Sequence, residues 1–266
     1  MKEARSANSY GEYLRIPDLL RLQETLSPAH DELQFIIVHQ AFELWFKLSL
    51  FELESLRGAI DRDDGPQALH LLKRLHEIVG LLVSSFAVIE TMRPYDFLEF
   101  RSLLQPASGF QSLQFREIEF LSGAKDERYL KLFHGETHER LSRRFREPSI
   151  WDAYVSALRR EKSVQSDPEI VQAVIEVLKA PDRMPLGPLT EALIEYDEAF
   201  AMFRARHIAM VMRMIGSRPG TGQASVAELV KAGYGQMGAG GVDYLKTTLS
   251  RVFFPLLWEA RTFIQR

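Results

Sequence analysis

Hydrophobic residues recur three or four positions apart along almost the whole chain, which is the spacing of amphipathic helices. Alternating runs rich in Val, Ile and Thr, which are typical of strands, are scarce. The sequence therefore predicts an all-α protein. The predicted helices are Ile16–Leu26, His30–Ile60, Pro66–Met92, Tyr95–Leu104, Ser112–Leu121, Asp126–Phe133, His138–Phe145, Ser149–Ser163, Asp167–Lys179, Gly187–Ile215 and Val242–Ile264.

Several of these helices begin at side chains that can accept the free amides of a first turn, namely Ser27, Asp64 and Ser149. The chain contains no internal repeat and no long polar linker, so residues 1–266 are predicted to form one domain. Eight of the 16 glycines fall between positions 216 and 241. Because glycine lets the backbone approach a ligand closely, this stretch is either a loop over a site or a long surface connection.

Composition excludes several classes of chemistry. The chain has no cysteine, so it cannot use a thiolate nucleophile, an iron–sulfur cluster or covalently attached haem. The net charge is −3 and the basic residues alternate with acidic ones, which argues against nucleic acid as a partner. The N-terminus lacks a secretory signal, and the longest apolar stretch, Val79–Ile89, is shorter than the ~20 residues that span a bilayer. We therefore expect a cytoplasmic protein with no membrane partner.

Two histidines fall on apolar helix faces. His39 lies on one stripe with Phe35, Phe42 and Phe46, and His207 shares a stripe with Phe203, Met210, Val211 and Met214. Each could be a core histidine that a carbonyl satisfies. Each could instead be a polar group in a ligand pocket, and a buried neutral imidazole is what a haem iron needs as an axial ligand.

Other polar residues leave similar alternatives. Arg101, next to a glycine-containing turn, could grip a carboxylate or form a surface ion pair. Glu43 and Lys47 are spaced as an ion pair. His134 and His138 share that spacing but lack a third metal ligand at a recognised distance along the chain.

Taken together, these stretches resemble the tryptophan 2,3-dioxygenase family along nearly the whole chain. The motifs are His30-Asp31-Glu32, Phe35-Ile36, His39-Gln40, Glu43 to Lys47, Phe100-Arg101 with Pro106 to Arg116, and Arg206-His207 with Gly216 to Gly222. The resemblance implies a helical bundle that binds haem b non-covalently. It also implies a homotetramer in which an N-terminal arm, residues 1–15, completes a neighbour's pocket.

The resemblance assigns a role to each matching residue. His207 is implied to be the axial ligand of the haem iron, and His39 the distal histidine that meets the indole N–H. Arg101 is implied to bind the substrate carboxylate and Thr221 its ammonium and carboxylate groups. The other matches are Phe35 and Phe97 as apolar walls, Ser108 as a distal-side serine near cofactor and substrate, and Tyr10 and Tyr13 on the arm.

The activity implied is the addition of O2 across the indole C2–C3 bond of L-tryptophan, giving N-formylkynurenine in tryptophan catabolism. The chain departs from the family pattern at Phe203, Ala205 and Met212, and through the insertion Gln223–Gly240 in the loop 216–241. A relative that inserts one oxygen atom, or that acts on a substituted tryptophan or indole, is therefore a second hypothesis. A haem sensor or a helical scaffold without turnover is a third.

Overall fold

The computed structural model describes residues 9–222, residue 227 and residues 245–265. Every regular element in these ranges is an α-helix or a short 3-10 helix, which confirms the predicted all-α class. The α-helices are α1 (Tyr10–Leu14), α2 (Ile16–Leu19), α3 (Glu32–Asp61), α4 (Gly65–Ile89), α5 (Pro94–Arg101), α6 (Leu113–Ser122), α7 (Gly135–Arg146), α8 (Ile150–Glu161), α9 (Asp167–Lys179), α10 (Gly187–Ile215) and α11 (Pro255–Thr262).

The predicted boundaries hold best where proline or glycine marks a helix end. Helices α9 and α10 begin and end at the predicted residues. The prediction of a helix over Ile16–Leu26 was wrong, because α2 ends at Leu19. The segment Asp126–Phe133 was also misassigned, since it forms a 3-10 helix over Glu127–Leu132. The last predicted helix is interrupted: its described part has a helical turn at 245–247 and then α11, which Pro255 begins.

Two of the three predicted caps are confirmed. The Asp64 carboxylate accepts the amide of Gln67 at 3.1 Å, and Ser149 forms a capping box with Asp152. Ser27 does not cap α3, which begins only at Glu32. Its hydroxyl instead donates to the buried Glu32 carboxylate at 2.5 Å, and this carboxylate also accepts the Ser27 amide at 2.8 Å. The N-terminal segment is thereby tied to the start of α3.

Three long helices form the centre of the bundle. Helices α3 and α4 run antiparallel, because Gln34 bonds the carbonyl of Val88 while Glu52 pairs with Arg74 at the other end. Helix α10 packs on α4, and α6 closes one side of α3. These helices place their apolar stripes inward, where the aromatic rings of α3, α4 and α10 meet.

No single helix within the described ranges has the length and apolar character required to cross a bilayer. One pair, Gly65–Ile89 with Pro94–Leu104, meets those criteria only when taken together, and it is bent by 94° at the break between its members.

Candidate active site

A cavity of about 560 Å³ lies between α3, α4, α10 and the segment that leads into α6. A volume of this size is typical of small-molecule and cofactor sites. Apolar side chains form most of its wall and a few polar groups converge on it. The lining includes Phe35, His39, Phe42, Glu43, Phe86, Met92, Phe97, Arg101, Ser108, Phe115, Phe203, His207, Met210, Met214, Thr221 and Gly222.

His39 enters this cavity from α3. Its Nδ1 lies 2.7 Å from the carbonyl oxygen of Phe35. A carbonyl only accepts, so Nδ1 carries the proton and Nε2 of the neutral ring is an acceptor. The ring is exposed to the cavity, and the protein atoms that form the cavity wall surround it. This burial lowers the pKa of His39, although the Phe35 carbonyl and the charge of Glu43 act to raise it.

His207 enters the same cavity from α10. Its ring stacks on Phe86 with centroids 5.6 Å apart and lies 6.4 Å from Phe203. Burial lowers the pKa of His207 to about 4, and the nearby His39 acts in the same direction. Neither ring nitrogen has a hydrogen-bond partner among residues 9–222 and 245–265. The imidazole is therefore neutral near pH 7 and has a lone pair to offer a ligand.

An aromatic cluster connects the two histidines. Phe42 follows His39 on α3 and lies 6.3 Å from Phe203 of α10, while Phe86 of α4 lies 5.4 Å from Phe42 and 5.2 Å from Phe203. The sequence stripes of α3 and α10 thus meet on α4. Each stripe contributes some residues to the core and others to the cavity wall. This is why the sequence alone left both interpretations of each stripe open.

Arg101 ends α5 at the cavity and donates to the carbonyl of Pro219, in the segment after α10. A guanidinium has five N–H groups, so this bond leaves donors for a carboxylate. The same segment approaches Ser108: a β-carbon built on Gly222 would lie 2.2 Å from the Ser108 hydroxyl oxygen. Thr221 therefore lines the same cavity as Arg101 and Ser108, so this part of the glycine-rich stretch lies at the cavity and not on the outer surface.

Glu43 has a different environment from the one that its sequence spacing indicated. It forms no ion pair with Lys47 among the described residues. Its carboxylate accepts the Ser112 hydroxyl at 2.6 Å and the Gln114 amide at 2.8 Å. The ion-pair prediction was wrong because these partners come from the α6 entry, about 70 residues away in sequence, and i,i+4 spacing carries no information about them. Glu43 fixes one wall of the cavity.

The remaining candidate residues differ in where they lie relative to the cavity. Phe35 and Phe97 line the cavity with ring centroids 5.8 Å apart. Tyr10 and Tyr13 do not line this chain's own cavity, and both are 76% exposed. His138 bonds the carbonyl of Leu130 at 3.0 Å, as a structural histidine does.

The positions at which the chain departs from the family pattern are not equivalent. Phe203 lines the cavity, whereas Ala205 and Met212 lie on the outer face of α10 and do not line it. Of the three, only Phe203 can act on the cavity directly, because the helix turns the side chains of Ala205 and Met212 away from it. The insertion Gln223–Gly240 lies outside the described residues except for residue 227.

The residues at His207 fit a haem. The donor is a neutral imidazole without a protein partner, in an apolar wall, which is the environment that an axial haem ligand requires. The fold and the cavity define an all-helical protein in which two histidines and an arginine line one largely apolar cavity. Similarity to known proteins identifies the family within this class.

The family model described as tryptophan 2,3-dioxygenase matches residues 1–172. A protein named tryptophan 2,3-dioxygenase from Nocardioides sp. strain JS614 is 44% identical, covering 96% of this chain and 94% of its own length. Proteins of the same name from Herpetosiphon aurantiacus and Pseudomonas fluorescens are 39% and 36% identical over 96% of this chain, covering 98% and 90% of their own lengths. The chain belongs to the tryptophan 2,3-dioxygenase family, which confirms the resemblance.

Proposed function

We propose that this protein is a haem-dependent oxidoreductase that adds O2 across the indole C2–C3 bond of L-tryptophan, giving N-formylkynurenine. The observation that carries this proposal is that His39 and His207 share one apolar cavity with Arg101 at its rim. The names of the relatives agree with it.

His207 is the residue that would hold the iron of haem b. Its depressed pKa keeps the imidazole neutral, and its lack of a partner leaves a nitrogen available. The rings of Phe86 and Phe203 both pack near the imidazole, with centroids 5.6 and 6.4 Å from it, and restrict its orientation. The bound haem would supply the iron chemistry that activates O2, and the polypeptide would orient the substrate and exclude water.

His39 is suited to receive the indole N–H. With Nδ1 held by the Phe35 carbonyl, Nε2 is the acceptor that the neutral ring presents. Such a hydrogen bond contributes on the order of 1 kcal/mol, so it orients the indole and favours one edge of the ring. His39 is thus proposed to position the substrate and to hold a proton at Nε2 if the indole releases one.

Arg101 and Thr221 would bind the amino-acid end of the substrate, while Phe35 and Phe97 enclose the indole. Arg101 supports this role because it is already fixed to the backbone at Pro219 and keeps unused N–H donors. Ser108 lies beside the same segment and would contact cofactor and substrate. Specificity for tryptophan follows from recognising both ends of the molecule.

The proposed assembly is a homotetramer of single-domain subunits. Helices α1 and α2 bury none of their residues within the chain, and Tyr10 and Tyr13 are largely exposed. Exposed aromatic residues on a short helix gain stability by packing against another surface. Insertion of the arm, residues 1–15, into a neighbour's cavity would cover them and complete that cavity.

Product mass under ¹⁸O2 tests the function. Reduced, haem-loaded enzyme with L-tryptophan should give N-formylkynurenine carrying two labelled atoms. A product with one labelled atom would establish the mono-oxygenase alternative, and no tryptophan-dependent oxygen consumption would refute both.

A further inference from the structure

The outer face of α10 carries an apolar stripe that the proposed reaction does not use. Met202, Ala205, Ala209 and Met212 follow each other at intervals of three, four and three residues, so they line one side of the helix. That side is opposite His207. Met202 is 58% exposed and Met212 47% exposed, Ala209 is exposed, and Ala205 is half-buried. Within the described part of the chain, nothing covers the two methionines.

The stripe is symmetric about position 207. The two alanines stand two residues on either side of it and the two methionines five residues on either side. A stripe with this symmetry is complementary to itself when a second helix runs antiparallel, because methionine then meets methionine at each end and alanine meets alanine at the centre. Alanine at the centre allows helix axes to approach to about 8 Å.

We propose that α10 pairs with α10 of a second copy of this chain in antiparallel orientation. The two-fold axis lies between the two helices, at the level of position 207 along each of them. The two-fold makes the same stripe serve both subunits, as an isologous interface requires. Residue 202 then lies opposite the partner's Met212, and residue 205 opposite the partner's Ala209.

Charge at the ends of the stripe fits this arrangement. Glu198 and Arg213 are both exposed, and neither has an ion pair among the described residues. In the antiparallel pair Glu198 lies opposite position 216, less than one turn from the partner's Arg213. The two-fold repeats this contact at the other end. Opposite charges therefore meet at both ends of the stripe. Arg206, beside the stripe near its centre, comes close to its own copy, but its charge is already paired with Glu90 of the same chain.

The stripe is about 15 Å long, since ten residues of helix rise about 1.5 Å each. A single helix stripe of this length buries less surface than the roughly 800 Å² per partner that a stable interface buries. It therefore serves as one contact of a larger assembly. A tetramer of dihedral symmetry needs more than one kind of two-fold interface. This inference concerns assembly alone, so its failure would leave the proposed oxidation of tryptophan untouched.

Cysteine cross-linking tests the pairing directly, because the chain has no native cysteine. In the variant M202C/M212C the two thiols of one chain stand about 15 Å apart, beyond the reach of a disulfide, so any disulfide joins two chains. Under mild oxidation the full-length double variant should give a covalent dimer on non-reducing gels, and each single variant should remain monomeric. Dimers from M202C alone would overturn the antiparallel register, and no dimer from the double variant would overturn the pairing.

Sedimentation of A209E provides the second measurement. A glutamate from each chain at the centre of the stripe would place like charges at the close approach, so we expect a shift to a smaller species at micromolar concentration. Q172E, at an exposed site of α9, is the matched control and should sediment like the unaltered protein. Circular dichroism verifies that both variants fold. An unchanged assembly of A209E would refute the interface and would indicate that solvent or residues 223–244 of the same chain cover the stripe.

Discussion

Gly222→Ala tests whether the segment after α10 is held against Ser108 as part of the substrate site. A β-carbon at position 222 would lie 2.2 Å from the Ser108 hydroxyl oxygen and 2.5 Å from its β-carbon. Both separations are far inside van der Waals contact, so the segment must move and Thr221 must move with it. Overpacking of this kind costs about 1–3 kcal/mol. If that cost falls on the substrate-bound form, the Kd for L-tryptophan rises roughly 5- to 150-fold.

The assay is a spectroscopic titration of haem-loaded enzyme with L-tryptophan, and Ser108→Gly supplies the control. Removal of the Ser108 side chain removes both clashing atoms and also the oxygen that accepts the Phe110 amide at 3.3 Å, which alone contributes about 1 kcal/mol. Gly222→Ala should therefore weaken binding much less in the Ser108→Gly background than in the unaltered one. Equal effects in both backgrounds would refute the contact, as would an unchanged Kd for Gly222→Ala alone.

The other predictions concern the three residues that carry the site. His207→Ala should abolish stable haem binding, measured by the Soret band on titration with hemin, and a normal haem spectrum would contradict its assignment as axial ligand. Arg101→Ala should raise the Kd for tryptophan while leaving that for tryptamine, which lacks the carboxylate, nearly unchanged; equal losses for both would remove Arg101 from carboxylate binding. His39→Ala should slow turnover about fivefold, as the loss of about 1 kcal/mol requires, with the haem spectrum retained. Complete loss of turnover would contradict the orienting role.

The helices could be predicted from sequence where local chemistry fixes their ends. Helix α10 begins at Gly187 before a proline and ends where Gly216 adopts a positive φ of 60°, and both signals are local. The segment over Glu127–Leu132 was not predictable in this way, because six residues do not separate a repeat of 3.0 from one of 3.6. Ser27 resembles a cap in sequence, but its partner is the Glu32 carboxylate, which only the folded chain brings into place.

The candidate site was predictable only in part, for a related reason. Periodicity places His39 and His207 each on an apolar face, but whether such a face is core or cavity depends on what packs against it. Phe42 and Phe203, whose ring contact brings the two faces together, are 161 residues apart in sequence. The resemblance to the family placed the two histidines in one site, which periodicity alone could not do. Glu43 shows the limit of local spacing, because its partners lie on α6.

Side-chain changes on the two faces of helix α10 have different effects. Phe203, at one position where the chain departs from the family pattern, lines the cavity with its ring centroid 6.4 Å from that of His207, so a change there acts directly on the cavity. Ala205 and Met212, at two others, face outward and belong to the stripe that is symmetric about position 207. A change of side chain on that face reaches the cavity only by moving the helix, whereas it alters directly what the helix can pack against. Under the pairing proposed for α10, divergence at these two positions acts on assembly, whereas divergence at Phe203 or in the segment that carries Thr221 acts on the cavity.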